Sequence, residues 1–569
     1  MRVIEASALR AALGELRHGL IGVAGLSAGI NLLTLTGSIY MLVVYDRVLP
    51  GRSLPTLISV FLIAAIAFAF LGAFDVLRAR MLGDVAASLD RDLGVRAQEA
   101  ELRLALEKPQ QFEQASPVRD LDQIRGFIAG PGPAAIIDLP WIVVFIVILA
   151  LVHPWLGIVT FVGGLVAAAL AWTAERVGRG HVAALAQAAS RRRAIGARRV
   201  RHAELISVLG MRAPTRTQWE TEHQAMLHQQ TQLTASSTIL SGISRIFRMF
   251  LQSAVLTVGA ILVIEGKATG GVIIASSILS ARALAPVDQA IANWRGFVAM
   301  RESWAQLSRS IALTPEAAVD RTALPPPRAT LSVERVALVP PGSDRVVVND
   351  AALRANAGQL LGIVGPSGSG KSALVRAIVG AWRPARGTIR LDGAALDQWD
   401  SEALGRHIGY LPQSVELFAG TVAANIARFR EDATSEGIVA AAQAAGSHEL
   451  ILQLPQGYET QVGEDGRNLS AGQRQRIGLA RALFGDPFLV VLDEPNSNLD
   501  MEGDAALVEA VTAVRARGGI AVVVAHRAAI LDQADLLLVM RSGGVQAFGP
   551  RAEVIDRLRP VAPLRERSV

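Results

Sequence analysis

Along the first 300 or so residues, stretches without any charge alternate with stretches dense in arginine. Gly19 to Tyr45, Ser53 to Phe74 and Trp155 to Ala174 contain no Asp, Glu, Lys or Arg, and Ala134 to Val152 carries only Asp138, near one end. Each run is close to the roughly 20 apolar residues that cross a bilayer core as a helix. Met249 to Ile264 and Gly270 to Pro286 are shorter, and Arg245 and Arg248 can snorkel to the interface beside the first of them. Read together, these runs predict six spans, which places both ends of the region on one side. The first run is too long for a signal-peptide core, and no small-residue cleavage site follows it.

After the sixth span, DQAIANWRGFVAMRESWAQL reads as an amphipathic helix, and LPPPR (Leu324–Arg328) breaks it as a semi-rigid linker. From Thr330 the pattern changes to short β-branched runs alternating with helical ones. The expected organisation is a short N-terminus (1–18), a transmembrane domain with long helical arms (19–310), a linker (311–329) and an α/β domain (330–562).

Arginine sets the orientation. The segments 75–133 and 175–248 are long and Arg-rich, whereas DRVLPGR, HP and EGKAT are short, so the long segments and both termini are expected in the cytoplasm. The two arginines of DRVLPGR are a local exception. RRRAIGARRVR (191–201) lies between spans, which favours a solvated helix over a nucleic-acid site.

The composition agrees with this division: 51% hydrophobic against 19% charged, an excess gathered in the first half. There is no cysteine, which excludes disulfides, thiolate zinc sites and cysteine nucleophiles. Only three of the 56 basic residues are lysines (Lys108, Lys267 and Lys371). The bias weakens the high pI as an argument for nucleic acid, and it singles out Lys371.

Lys371 sits in GPSGSGKS, which follows a buried strand (LLGIVG) and opens a helix (ALVRAIVG). That is the context the phosphate-binding loop requires. Gly365, Gly368 and Gly370 would let backbone N–H groups converge on phosphate oxygens at a helix N-terminus, with Pro366, Ser367 and Ser369 completing the nucleotide-binding loop. Lys371 would reach the β/γ-phosphates and Ser372 would ligate Mg²⁺. FLVVLDEP ends a second buried strand in two acids: Asp493 fits a carboxylate for Mg²⁺ and Glu494 a base that polarises the attacking water. AVVVAH puts His526 at the end of a third strand, where it could contact the γ-phosphate.

These pieces, with YLPQ (Gln413), LSAGQ (Leu469–Gln473) and SNLD (Asp500), resemble the ATPase domain of ABC transporters. The resemblance implies that Gln413 contacts Mg²⁺ and senses the membrane domain. It also implies that Ser470 and Gly472 bind a γ-phosphate held across a dimer, with Gln473 and Asp500 among the nucleotide-binding positions. TQVGEDG (Thr460–Gly466) is similar to the coupling stretch of exporters. Two departures stand out: Ala471 replaces the usual Gly of the signature, and Val339, Pro340 and Pro341 stand where an aromatic normally stacks on adenine.

In the membrane half, YDRVLPGRSLPTL, RDLDQIRGFIAGPGPAAIIDLPW, HPWLG and APVDQAIANWRGF resemble type I secretion permease/ATPases, which export repeat-toxin-type proteases, lipases and haem carriers. The resemblance implies ATP and Mg²⁺ as cofactors and a homodimer in the bacterial inner membrane with its ATPase domains in the cytoplasm. It further implies a periplasmic membrane fusion protein, an outer-membrane channel and a secreted protein with a C-terminal signal as partners. With about 18 residues before the first span and no Cys, no leader-peptide cleavage is expected. The alternatives are a lipid or small-molecule exporter with the same ATPase, and a regulatory ATPase that gates a channel. Glu494 beside Asp493 disfavours the latter, because a full hydrolytic set suggests turnover.

Overall fold

The uncharged runs continue as helices far longer than a bilayer is thick. The computed structural model describes residues 2–107, 116–312, 324–497, 499, 501–525 and 527–558. These residues divide into two units, one within residues 1–316 and the other mainly residues 317–569.

The first unit is helical. Its principal helices are α1 (Arg2–Val43), α2 (Leu54–Glu107), α3 (Pro117–Ile128), α4 (Gly132–Asp138), α5 (Trp141–Val152), α6 (Pro154–Arg201), α7 (Arg212–Ile264) and α8 (Gly270–Ala312). Among the described residues, five helical stretches are long and apolar enough to cross a membrane. The sixth apolar segment, Pro154–Leu170, is a shorter stretch that opens α6. At 1.5 Å per residue, the 54-residue α2 extends about 80 Å against about 30 Å of hydrocarbon. The excess forms an arm. Leu82, Ala86, Leu89, Leu93, Ala97, Ala100 and Leu104 are buried along α2 at spacings of three or four, one face of a helix. That face packs against Leu121, Ile124 and Ile128 of α3 and Leu307 of α8. Pro286 lies buried within α8 without ending it.

Two charged positions find partners the sequence did not reveal. Asp138, 8% exposed, accepts from Asn31 Nδ2 at 2.8 Å and Arg78 Nη1 at 3.0 Å, joining α1, α2 and α4. A charge next to apolar spans is tolerable when paired and hydrogen-bonded in this way. Arg248 is paired with Asp288 of α8. RRRAIGARRVR forms the last turns of α6, and its side chains are exposed or half-exposed.

Of the expected linker, residues 313–323 lie outside the described ones, and Leu324–Arg328 carries neither helix nor strand. The second unit begins with an antiparallel sheet of order β2-β1-β4-β5, built from β1 (Thr330–Leu338), β2 (Val348–Asn356), β4 (Arg386–Leu391) and β5 (Ala394–Ala395). A six-stranded sheet follows, of order β10-β9-β3-β8-β7-β6. Its strands are β3 (Leu360–Val364), β6 (Ile408–Leu411), β7 (Leu489–Asp493), β8 (Ile520–Val524), β9 (Leu536–Arg541) and β10 (Gly544–Pro550), all parallel except β10. Every residue of β7 and β8 is buried, as expected for β-branched runs covered on both faces. The order places β3, β8 and β7 side by side, so the ends of the three motif strands converge on one edge, where open α/β sheets bind ligands.

Candidate functional site

At that edge β3 runs through GPSGSG into helix α9 (Lys371–Ile378). Gly370 caps α9 with φ of 98°, and a Cβ there would come 2.8 Å from the carbonyl oxygen of Val347. Only glycine combines that φ with that approach. Lys371, 6% exposed, bends back so that Nζ donates to the carbonyls of Gly365 (2.8 Å) and Pro366 (3.0 Å). The ammonium is thereby held over the loop. The hydroxyl of Ser369 is buried without a hydrogen-bond partner, an orphan polar atom within the glycine-rich loop.

Ser372 Oγ donates to Asp493 Oδ1 at 3.3 Å, tying the start of α9 to the end of β7. Asp493 is 1% exposed, and burial followed by the neighbouring Glu494 charge raises its pKa, against the Ser372 hydrogen bond, Arg376 and Lys371. Glu494 leaves the strand with φ of 51°, its N–H bonded to Val524 of β8 at 3.0 Å. This left-handed residue separates the two carboxylates, one buried in the sheet and the other turned toward the segment after β6. There Gln413 Nε2 donates to Glu494 Oε2 at 2.9 Å. The structure thus brings together Lys371, Ser372, Asp493, Glu494 and Gln413.

Three participants went unnoticed in the sequence. Tyr410 of β6 is hydrogen-bonded to Arg376 of α9, and burial with the Asp493 charge raises its pKa. Gln475 Nε2 donates to the carbonyl of Pro495 at 2.5 Å, linking the acid pair to helix α10 (Ala471–Leu483). No local pattern announces these pairings.

LSAGQ itself closes locally. Ser470 Oγ accepts from the N–H of Gln473 at 3.3 Å, and Gln473 Oε1 accepts from the N–H of Ser470 at 2.9 Å. This is a reciprocal capping box at the start of α10. Its S-x-x-Q spacing is legible in the sequence. Ser470 is exposed, and neither side chain's hydrogen bonds within the chain reach the phosphate loop. Asp500 and His526 lie outside the described residues.

The donor set suits Mg²⁺. A hydroxyl and one carboxylate are hard oxygen ligands, and Mg²⁺ completes its shell with water and substrate phosphates. Among the described residues no cluster of three or more His, Asp or Glu that could hold a metal ion is present. Ser372 and Asp493 would hold the ion.

The comparisons with known proteins point the same way from end to end. Residues 348–497 match the family model described as ABC transporter, and residues 20–287 match that of the ABC transporter transmembrane region. The chain is 50% identical to the type I secretion system ATP-binding protein PrsD of Rhizobium meliloti (strain 1021), covering 98% of this chain and 96% of that one. It is 30% identical to the cyclolysin secretion/processing ATP-binding protein CyaB of Bordetella pertussis, over 95% of this chain and 76% of that one. A bacterial Atm1-family ABC exporter solved with ATP bound shares the fold, with a TM-score of 0.80, 22% identity and coverage of 95% and 96%.

Proposed function

Because this chain belongs to the ABC transporter family, we propose that it is the ATPase component of a type I secretion system. Two copies in the bacterial inner membrane would couple ATP hydrolysis to export of a polypeptide. The observation that carries this reading is the end-to-end similarity to a type I secretion protein, 50% identical over 98% of the chain. That similarity extends through the membrane half, where a cargo would pass, and so favours polypeptide over lipid. Its partners in this reading are a periplasmic membrane fusion protein, an outer-membrane channel and a passenger with a C-terminal signal.

With six apolar segments per chain, half a transport path, a homodimer is the economical assembly. The cradle of Gly365 to Gly370 offers backbone N–H groups to the phosphates of ATP, and Lys371 balances their charge. Ser372 and Asp493 would hold Mg²⁺, which would supply positive charge where negative charge develops on the phosphates. Glu494 accepts a proton from the water whose oxygen attacks the γ-phosphorus, while the β–γ bridging P–O bond breaks and ADP departs with the electron pair. Gln413, bonded to Glu494, fixes that carboxylate and lies in a segment that can report its position. Ser470, at the positive end of α10, faces the γ-phosphate held by the partner. Closure and release of the two ATPase units would then drive the long helical arms between two states.

The test is made in cells. Deleting the last few dozen residues of the passenger should stop export, while deleting its N-terminus should not, and cells lacking the fusion protein should export nothing. Passenger outside such cells at normal levels would favour an exporter that works alone.

A further inference from the structure

Two arginines stand outside every role described above, and both end on backbone. Arg428 follows the short helix Val422–Ile426, and Arg428 and Phe429 are consecutive non-glycine residues in the left-handed region, with φ of 57° and 56°. Such a pair persists only where its surroundings over-determine it. Here the Arg428 guanidinium makes four hydrogen bonds to carbonyls. Nη1 donates to Gly405 (2.7 Å) and Ile408 (3.0 Å), Nε to Arg481 (2.9 Å) and Nη2 to Ala482 (3.1 Å). Ile408 opens β6, whereas Arg481 and Ala482 belong to the last turn of α10. A cation there suits the negative end of the helix dipole. Burial, followed by the neighbouring charges of Arg430 and Arg481, pushes the Arg428 pKa down to about 10, so the group stays charged at neutral pH.

Arg481 makes the second connection. Its Nη1 donates to the carbonyl of Glu416 at 3.0 Å. The segment from Ile408 to Glu416, with Gln413 inside it, is therefore pinned near both ends to the last turn of α10. Between the pins the backbones touch: a Cβ on Gly409 would come 2.0 Å from the Ala482 carbonyl oxygen.

We propose that Arg428 is a positioning residue for ATP hydrolysis, which sets Gln413 against Glu494 by anchoring the Gln413 segment to the helix that begins at Ser470. Any displacement of α10 when Ser470 engages the partner's nucleotide would then move Gln413 directly. This rests on the hydrolytic roles proposed above for Gln413 and Glu494.

The experiment compares the full-length chain in lipid nanodiscs with Arg428→Met, Arg428→Lys, Gln413→Ala and the Arg428→Met/Gln413→Ala double variant. Arg428→Met should bind ATP without Mg²⁺ within about twofold of the parent, while kcat falls about tenfold to a hundredfold, the scale of a misplaced catalytic group. Arg428→Lys, which keeps the charge and loses the fork, should be intermediate. In the Gln413→Ala background, Arg428→Met should cost less than about a further twofold, because residues acting as one unit do not add. An unchanged kcat in Arg428→Met, or losses that multiply in the double variant, would overturn the proposal. Should Arg428→Met fail to fold, Arg428→Lys alone and with Gln413→Ala decides by the same criterion. A parent chain that does not hydrolyse ATP would fault the ATPase reading itself.

Discussion

Glu494→Gln is expected to lower ATP turnover by about 10²–10⁴-fold, the usual cost of losing a positioned base, while ATP binding remains intact. The amide preserves the shape of the side chain and can still meet the Gln413 amide, now 2.9 Å from Glu494 Oε2. It cannot take a proton from water. The backbone at this position, with φ of 51° and its N–H bonded to Val524, asks nothing of the carboxylate, so the fold should be unaffected. ATP-bound dimers should accumulate, and size measurements with and without ATP would register them. Near-normal turnover would remove Glu494 from the role of base.

The second large effect concerns which chain supplies the signature. Ser470 and Gln473 bond each other, and their hydrogen bonds do not reach Lys371 of their own chain. The exposed Ser470 hydroxyl at the start of a 13-residue helix is available to a phosphate gripped by another copy. Homodimers of Lys371→Ala and of Ser470→Arg should both trap no ATP, because every site in each carries one defect. A mixed dimer gathers both defects into one site and leaves the other intact. Trapping should return at one site per dimer. Mixed dimers of defined composition that trap nothing, beside parent dimers that do, would place the signature in its own chain's site.

How much of this was legible in the residues depends on the range of the interaction. LLGIVG, FLVVLDEP and AVVVAH each carry their motif on a buried run, so strand, loop and chemistry can be read within ten residues, and they become β3, β7 and β8 side by side. The long uncharged runs were equally legible, because one solvent dictates them. What escaped was pairing across distance: Asp138 with Asn31 and Arg78, Arg248 with Asp288, Gln475 with Pro495. Arg428 was hidden more thoroughly, because its partners are carbonyls, which every residue has. In the signature a strong motif obscured a simple one, and the local task of Ser470 as a helix cap went unread.

The central claim, that ATP hydrolysis here serves polypeptide export, is tested most directly by the ATPase rate of the purified chain in lipid, titrated with C-terminal fragments of candidate secreted proteins and with the same fragments scrambled. The account predicts a saturable change in rate with one authentic fragment and none with its scrambled form, absent altogether in Glu494→Gln. A rate that responds to lipids or small hydrophobic molecules and ignores every polypeptide fragment, in a chain that hydrolyses ATP normally, would contradict it.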